Sequence, residues 1–97
     1  MRTKNAKAIT RVESAHMAKV KRCACVLCDA DAPTEAHHPI QGLHMVCIAV
    51  CQTCHRGPMG IHGDGTMVRL RYGTNDLRAV IRAINDTAAR VAALGEE

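Results

Sequence analysis

Two Cys-x-x-Cys pairs constrain the fold of this chain more than any other feature of its sequence. The first pair is Cys25 and Cys28, and the second, Cys51 and Cys54, follows after twenty-two intervening residues. Two such pairs supply four thiolates, which complete the ligand set of a closed tetrahedral zinc site. The spacing therefore predicts one structural Zn²⁺ ion, with Cys23 and Cys47 left as buried packing residues.

The composition indicates why the fold needs a metal. The 97 residues include no Phe, no Trp and a single Tyr, although large aromatic side chains usually dominate core burial. A small aliphatic core needs a staple, and disulfides are the other use of six cysteines. The polar N-terminus lacks the apolar stretch of a signal peptide, and no run is long enough to cross a membrane. We therefore expect a reducing, cytoplasmic location, which favours zinc over disulfides.

Positive charge is concentrated at the N-terminus. Residues 1–22 hold seven Lys and Arg side chains against one acid, Glu13, in a chain of net charge +4. Basic arms of this kind often contact nucleic acid, and the alternative is a tail that keeps the protein soluble. We expect a flexible arm over 1–7, in which Lys4 and Lys7 contact DNA, followed by a single domain over 8–97.

Hydrophobic periodicity predicts an α+β fold. The expected elements are a helix over 8–20, strands over 34–38, 45–50 and 67–72, and a long helix from Thr74 or Asn75 to about 94. The apolar stripe of the first helix is Ile9, Val12, His16, Met17 and Val20, with His16 as a packed residue. The stripe of the last helix is Leu77, Val80, Ile81, Ile84, Ala88, Val91 and Leu94. The expected order is a turn that carries the first cysteine pair, then a β-hairpin, then the second cysteine pair at the start of a helix. This is the order of elements in a treble-clef zinc finger.

Five of the six histidines lie between residues 37 and 62, inside or beside the cysteine pairs. Four of them, His37, His38, His55 and His62, are candidates for chemistry. Hydrolysis of a phosphodiester needs a general base near neutral pH and stabilisation of negative charge, which histidine and a divalent ion respectively supply. These four side chains suffice for one base and three neutral ligands to a metal with open positions.

The motifs resemble those of a known family. They are Cys25-x-x-Cys28, Glu35-Ala36-His37-His38-Pro39-Ile40, Cys51-x-x-Cys54-His55-Arg56-Gly57, Ile61-His62-Gly63 and Arg71-Tyr72-Gly73. Together they are similar to the HNH nucleases of the ββα-metal (His-Me finger) class, with the phage recombination enhancement function nucleases as the closest variety. The resemblance covers residues 12–80 approximately.

The resemblance implies a metal-dependent DNA endonuclease. It implies that His38 is the general base and that His37, His55 and His62 bind a catalytic ion, for which we expect Mg²⁺ or Mn²⁺, with Zn²⁺ or Ni²⁺ as alternatives. It further implies a phage or prophage origin, action in a bacterial host cytoplasm, and a RecA-type recombinase filament as a partner besides DNA.

The sequence departs from the family pattern at two points. Val46 stands near the position of the middle Asn, so a backbone carbonyl or His44 is needed to orient the base. His37 and His38 are adjacent, and neighbouring strand residues point to opposite faces. Both can serve one site only if the strand twists outward at Pro39.

Two interpretations of the site remain open from the sequence. Arg56, Arg69 and Arg71 are candidate phosphate contacts, and a solvated face is the alternative for Arg69 and Arg71. A non-catalytic treble-clef zinc-finger module that binds nucleic acid is the alternative to the nuclease. His38 discriminates the two functions, because a binding module has no use for a base beside a metal ligand.

Overall fold

A computed structural model describes residues 9–95, so the predicted basic arm with Lys4 and Lys7 lies outside the described residues. The elements are α1 (Arg11–Lys21), β1 (Glu35–His37), β2 (Ile48–Val50), α2 (Gln52–Arg56), α3 (Thr66–Tyr72) and α4 (Leu77–Ala93). The strands form one antiparallel sheet in which Ala36 lies opposite Ala49. The predicted α+β class is confirmed. None of the helices within 9–95 is both long and apolar enough to span a membrane.

β2 is the most deeply buried element and connects the cysteine-bearing loop to α4. The backbone N–H of Val26 donates to the carbonyl of Ala49 at 3.0 Å, and the Ala49 N–H donates to Oγ1 of Thr87 at 3.1 Å. All three β2 residues are buried. The strand predicted to begin at Met45 is three residues shorter, because Met45 is exposed and Val46 closes a turn.

α1 begins at Arg11, not at residue 8 as the periodicity predicted. Thr10 and Glu13 form a capping box, in which each side chain accepts a hydrogen bond from the other's backbone N–H. This satisfies two of the free donors at a helix start. Only part of the predicted stripe packs inward. Met17 and Val20 meet the core, whereas Ile9 and Val12 are exposed and His16 is only half-buried.

The strand predicted over 67–72 is wrong, because this segment is the helix α3. The residues at its two ends are Gly65 and Gly73, with φ values of +78° and +80°. Glycine adopts this left-handed conformation readily, so the chain can enter and leave a short helix at these two positions. Val68 and Tyr72 pack against the core, and Leu70 between them is 75% exposed. The Tyr72 hydroxyl donates to a carboxylate oxygen of Asp86 at 2.8 Å and so joins α3 to α4.

α4 begins at Leu77 and is capped by Asp76, whose side chain accepts from the Arg78 N–H at 2.9 Å. Neither Thr74 nor Asn75 is the cap. The buried residues of α4 are small: Ala79, Ala83 and Thr87. Of the predicted stripe, Val80, Ile84, Val91 and Leu94 are half-buried, whereas Leu77, Ile81 and Ala88 are exposed. Small side chains let the helix lie close enough for Thr87 to bind the β2 backbone.

Candidate metal centres

The structure brings the four predicted cysteine ligands together. Their sulfur atoms all lie within 4.8 Å of one another, and Sγ of Cys28 is 3.6 Å from Sγ of Cys51. Two thiolates bound to one tetrahedral Zn²⁺ at ~2.3 Å would lie about 3.8 Å apart. The cluster of Cys25, Cys28, Cys51 and Cys54, called here the cysteine cluster, therefore fits a metal ion such as zinc. Cys23 and Cys47 are buried and separate from it.

Backbone N–H groups are aimed at two of these sulfurs. Leu27 N–H donates to Sγ of Cys25, and Cys54 N–H donates to Sγ of Cys51, each at 3.4 Å. Cys51 is also the N-cap of α2. Burial raises the pKa of the Cys51 thiol, but hydrogen bonds from Cys54 and the neighbouring thiols outweigh it, so the pKa lies below its usual value. The surroundings of Cys51 therefore favour the thiolate form that a metal requires.

Arg90 on α4 forms hydrogen bonds to the turn that carries Cys25 and Cys28. Its guanidinium donates to the carbonyls of Ala24 and Cys25 at 3.2 and 3.3 Å, and to a carboxylate oxygen of Asp29 at 2.9 Å. The Arg90 hydrogen bond also holds the pKa of the Asp29 carboxyl below its usual value. No sequence signal pointed to Arg90, because it lies more than sixty residues from the turn that it binds.

Three of the predicted catalytic histidines form a second cluster. Nε2 of His55 lies 3.2 Å from Nδ1 of His37 and 3.1 Å from Nε2 of His62, and the three ligand atoms fall within 4.8 Å of one another. Two imidazole nitrogens bound to one ion at ~2.0–2.1 Å would be about 2.9–3.4 Å apart. This histidine cluster therefore fits a metal ion and leaves coordination positions open.

Burial and the neighbouring histidines keep His37 neutral. Burial first, and then the charges of His55, His62 and His38, lower the pKa of His37 to about 4. A neutral imidazole with a free lone pair is the form in which histidine binds a metal.

Three different segments place the three ligands. β1 carries His37, α2 carries His55, and the loop over 57–65 carries His62. The loop is tied to α2 by backbone bonds, among them one from the His62 N–H to the His55 carbonyl at 3.0 Å. It folds so tightly that a side chain at Gly63 would clash with the backbone carbonyl of Pro58. Close backbone packing therefore holds His62 opposite the other two.

Glu35 orients His55 and is a site residue that the sequence analysis missed. Its carboxylate accepts a hydrogen bond from Nδ1–H of His55 at 2.7 Å and forms an ion pair with Nε of Arg56 at 3.2 Å. The bond from His55 is the largest reason why the pKa of the Glu35 carboxyl is lowered. With its proton on Nδ1, His55 turns the Nε2 lone pair toward the cluster. A signal was available, since Glu35 and His37 are two residues apart on a strand and share a face.

His38 is outside the histidine cluster but lines the same cavity. The cavity has a volume of about 270 Å³, and its walls include His37, His38, His44, His55 and His62. β1 ends at His37, so the chain leaves the strand before His38. This is how two adjacent histidines both reach one cavity.

The contacts of His38 fix its tautomer. Its Nε2 lies 3.2 Å from Sδ of Met17 on α1. Because a thioether sulfur only accepts, this contact places the proton on Nε2 and leaves the lone pair on Nδ1. Burial, followed by the charge of His44, lowers the pKa of His38. The imidazole is therefore neutral near pH 7, as a proton acceptor must be.

His44 packs against His38. The two rings meet edge to face with centroids 5.3 Å apart. Nδ1 of His44 is buried and has no hydrogen-bond partner among residues 9–95. The structure therefore places His44, one of the two groups expected to orient His38, in contact with it.

Of the three predicted phosphate-contacting arginines, Arg56 directly follows a residue that lines the cavity, His55, but it does not line the cavity itself. Arg56 binds Glu35 and is 65% exposed. Arg69 instead donates to the Asp64 carbonyl and to the Thr66 hydroxyl, at 3.0 and 3.2 Å. Arg71 lies near Asp29, beside the cysteine cluster, where it assists Arg90 in lowering the pKa of that carboxyl. Neither Arg69 nor Arg71 lines the histidine cavity.

Comparisons of the chain with protein-family models, with curated proteins and with solved structures found no match.

Proposed function

We propose that this protein is a metal-dependent endonuclease of the HNH type, which hydrolyses phosphodiester bonds of DNA. The observation that carries the proposal is the histidine cluster. Three imidazole nitrogens converge, and the cavity beside them is also lined by a fourth histidine, His38, that is not a ligand. Three protein ligands with open positions are typical of catalytic metal sites, whereas structural sites are closed.

The order of elements supports a ββα-metal core of the treble-clef kind. The first cysteine turn is followed by the β1–β2 hairpin and then by α2, which begins with the second cysteine pair. Cys54 and His55 are consecutive residues of α2, so one short helix serves both clusters. On this proposal zinc in the cysteine cluster holds α2 in place, and the histidine cluster carries the chemistry.

The chain's own residues divide the work of hydrolysis among them. His37, His55 and His62 would hold a divalent ion, whose positive charge would stabilise the phosphoryl and leaving-group oxygens. His38 accepts the proton of the attacking water at Nδ1. Arg56, exposed and next to His55 in the sequence, binds the DNA backbone.

The ligand set bears on the identity of the catalytic ion. Mg²⁺ prefers oxygen ligands, whereas imidazole suits Zn²⁺, Ni²⁺ and other transition ions. Three imidazoles and no carboxylate in the cluster therefore favour Ni²⁺ or Zn²⁺, the alternatives given by the resemblance, over Mg²⁺ and Mn²⁺. Following the same resemblance, we propose DNA and a RecA-type recombinase filament as partners.

A non-catalytic zinc-finger module that binds nucleic acid is the competing function. One observation favours it: His38 is packed between Met17 and His44, as a structural side chain would be. In that case the cysteine cluster alone would hold the fold, and the histidine cluster would have no catalytic duty.

Cleavage of DNA tests the proposal. Purified zinc-loaded protein is incubated with supercoiled plasmid and with linear duplex, each with Mg²⁺, Mn²⁺, Ni²⁺ or Zn²⁺, with and without a recombinase filament. We expect cleavage that depends on the added ion, and weaker ion binding in His37→Ala, so that excess ion partly restores its activity. DNA binding without cleavage under every condition would favour the zinc-finger module.

A further inference from the structure

The loop between β1 and β2 presents apolar side chains to solvent beside the histidine cavity. Ile40, Leu43 and Met45 are 51%, 49% and 48% exposed. Single exposed apolar side chains are normal on a protein surface, but here three are exposed within six residues of one loop. We call residues 40–46 the apolar loop.

The apolar loop has a defined backbone. Leu43 N–H donates to the Ile40 carbonyl at 3.2 Å, and Val46 N–H donates to the Leu43 carbonyl at 3.1 Å, which makes two successive turns. The thiol of Cys47 then binds the His44 carbonyl at 3.1 Å. These hydrogen bonds fix the backbone that carries the exposed side chains. A loop that is already ordered loses less conformational entropy when it binds a partner.

The same loop forms one wall of the histidine cavity. Gln41, Gly42 and His44 line the cavity together with His37 and the other ligand histidines. A substrate whose phosphate occupies this cavity must therefore lie against the apolar loop. The loop is part of the surface that would touch DNA, and not a separate patch.

The charged side chains around the apolar loop favour binding of a polyanion. The sequence has no acidic residue between Glu35 and Asp64, and Glu35 is engaged by His55 and Arg56. Lys21 is exposed and close enough for its charge to act on His38. A second copy of this face would bring like charges together, so DNA is the better occupant.

We propose that the apolar loop is a wedge that inserts Leu43 and Met45 between base pairs of duplex DNA bound at the histidine cavity. The inference rests on the proposed function, in that the phosphate beside the inserted side chains is the one to be cut. Apolar side chains inserted between base steps partly unstack them and bend the duplex. Such a bend would bring the scissile phosphate against the histidine cluster.

The test uses a background that binds DNA without cutting it. In His38→Ala protein, a duplex labelled with 2-aminopurine reports unstacking as a rise in fluorescence. Adding Leu43→Ala and Met45→Ala should abolish the rise and weaken binding about tenfold. The salt dependence of binding should not change, because no cation is removed. The matched control is Leu70→Ala, since Leu70 is 75% exposed on α3, outside the walls of the cavity, and it should behave like the parent.

Several results would overturn the wedge. They are an unchanged fluorescence rise in the loop variant, an equal loss in Leu70→Ala, or an absence of duplex binding in the parent. A loop variant that changes only self-association in sedimentation would make the loop a contact between copies. If the fluorescence rises but wild type cuts no DNA, the insertion of Leu43 and Met45 is supported and the nuclease function is contradicted. If wild type cuts DNA but the fluorescence does not rise, the nuclease function is supported and the insertion is contradicted.

Discussion

Nε2 of His55 is within 3.2 Å of ring nitrogens from both His37 and His62, while its Nδ1 is held by Glu35. One imidazole thus uses its two nitrogens for different tasks: one is fixed by a carboxylate, and the other faces the cluster. At the scale of single residues, the orientation of His55 determines whether three nitrogens converge. Glu35 should therefore matter as a positioning residue although it touches no metal.

Glu35→Ala should weaken metal binding at the histidine cluster. Loss of the carboxylate removes the bond that fixes the His55 tautomer, and losses of this kind cost about 10–100-fold in metal affinity. Calorimetric titration of zinc-loaded protein with Mn²⁺ or Ni²⁺ measures the effect. Glu35→Gln keeps an accepting oxygen and should lose less.

Arg56→Ala is the control for Glu35, because it removes the other partner of the carboxylate. It should leave metal affinity near that of wild type and weaken only DNA binding. Equal metal affinity in Glu35→Ala and wild type would show that packing alone orients His55.

At the scale of elements, α3 shows where prediction from sequence reaches its limit. Val68 and Tyr72 are four residues apart, and positions i and i+4 lie on one face in a strand and in a helix alike. Leu70 separates the two interpretations: a strand would bury it with Val68 and Tyr72, whereas a helix turns it to solvent, and it is exposed. The bracketing glycines, Gly65 and Gly73, were the stronger signal, since both take positive φ at the helix ends.

α4 shows a different limit. Periodicity predicted that the helix exists and approximately how long it is. It did not predict which face is buried, because the predicted stripe consists mainly of the largest apolar side chains. Here the β2 backbone approaches closely, so Ala83 and Thr87 face inward and Ile81 faces solvent. Local motifs were more informative: spacing identified the four cysteines of the cysteine cluster, and the motif resemblance identified the three histidines that the structure brings together. Arg90 was not identified, because it contacts a segment that is distant in the sequence.

The link between α3 and α4 can be read by titration of Tyr72. Burial, followed by the hydrogen bond to Asp86, raises the pKa of Tyr72 to about 12. The chain has one Tyr and no Trp, so absorbance near 295 nm reports this group alone. The raised pKa contributes stability that is present below pH ~10 and is lost as the pH rises through about 12.

Asp86→Asn should lower the pKa of Tyr72, because it removes a negative charge beside the hydroxyl. Circular dichroism recorded at each pH keeps the comparison within the folded state. A wild-type tyrosine that ionises near pH 10 while the protein remains helical would contradict the bond between α3 and α4.

At the scale of the whole molecule, the proposed function gives the two clusters separate duties. Loss of the cysteine cluster should remove the fold, since Cys54→Ala leaves three thiolates without a complete zinc site and the aliphatic core is small. We expect loss of helical circular dichroism in Cys54→Ala and in chelated wild type. Elemental analysis should find at least one zinc per folded chain. His37→Ala is the matched control, and it should melt like wild type; native helicity in metal-free protein would contradict a structural zinc.

If the two clusters have these separate roles, activity can be lost while the fold is kept. Removal of the zinc should abolish both, whereas a change at the histidine cavity should abolish activity alone. His38 is the sharpest position for this comparison, because it lines the cavity but belongs to neither group of candidate ligands.

The most direct measurement is metal-dependent DNA cleavage by wild type and His38→Ala, with metal content and thermal melting of both proteins. The variant should keep its zinc, its affinity for the catalytic ion and its melting temperature. Its cleavage rate should fall by about 10²–10⁴, because the attacking water has lost its proton acceptor. A His38→Ala protein that cuts DNA as fast as wild type would rule out His38 as the general base.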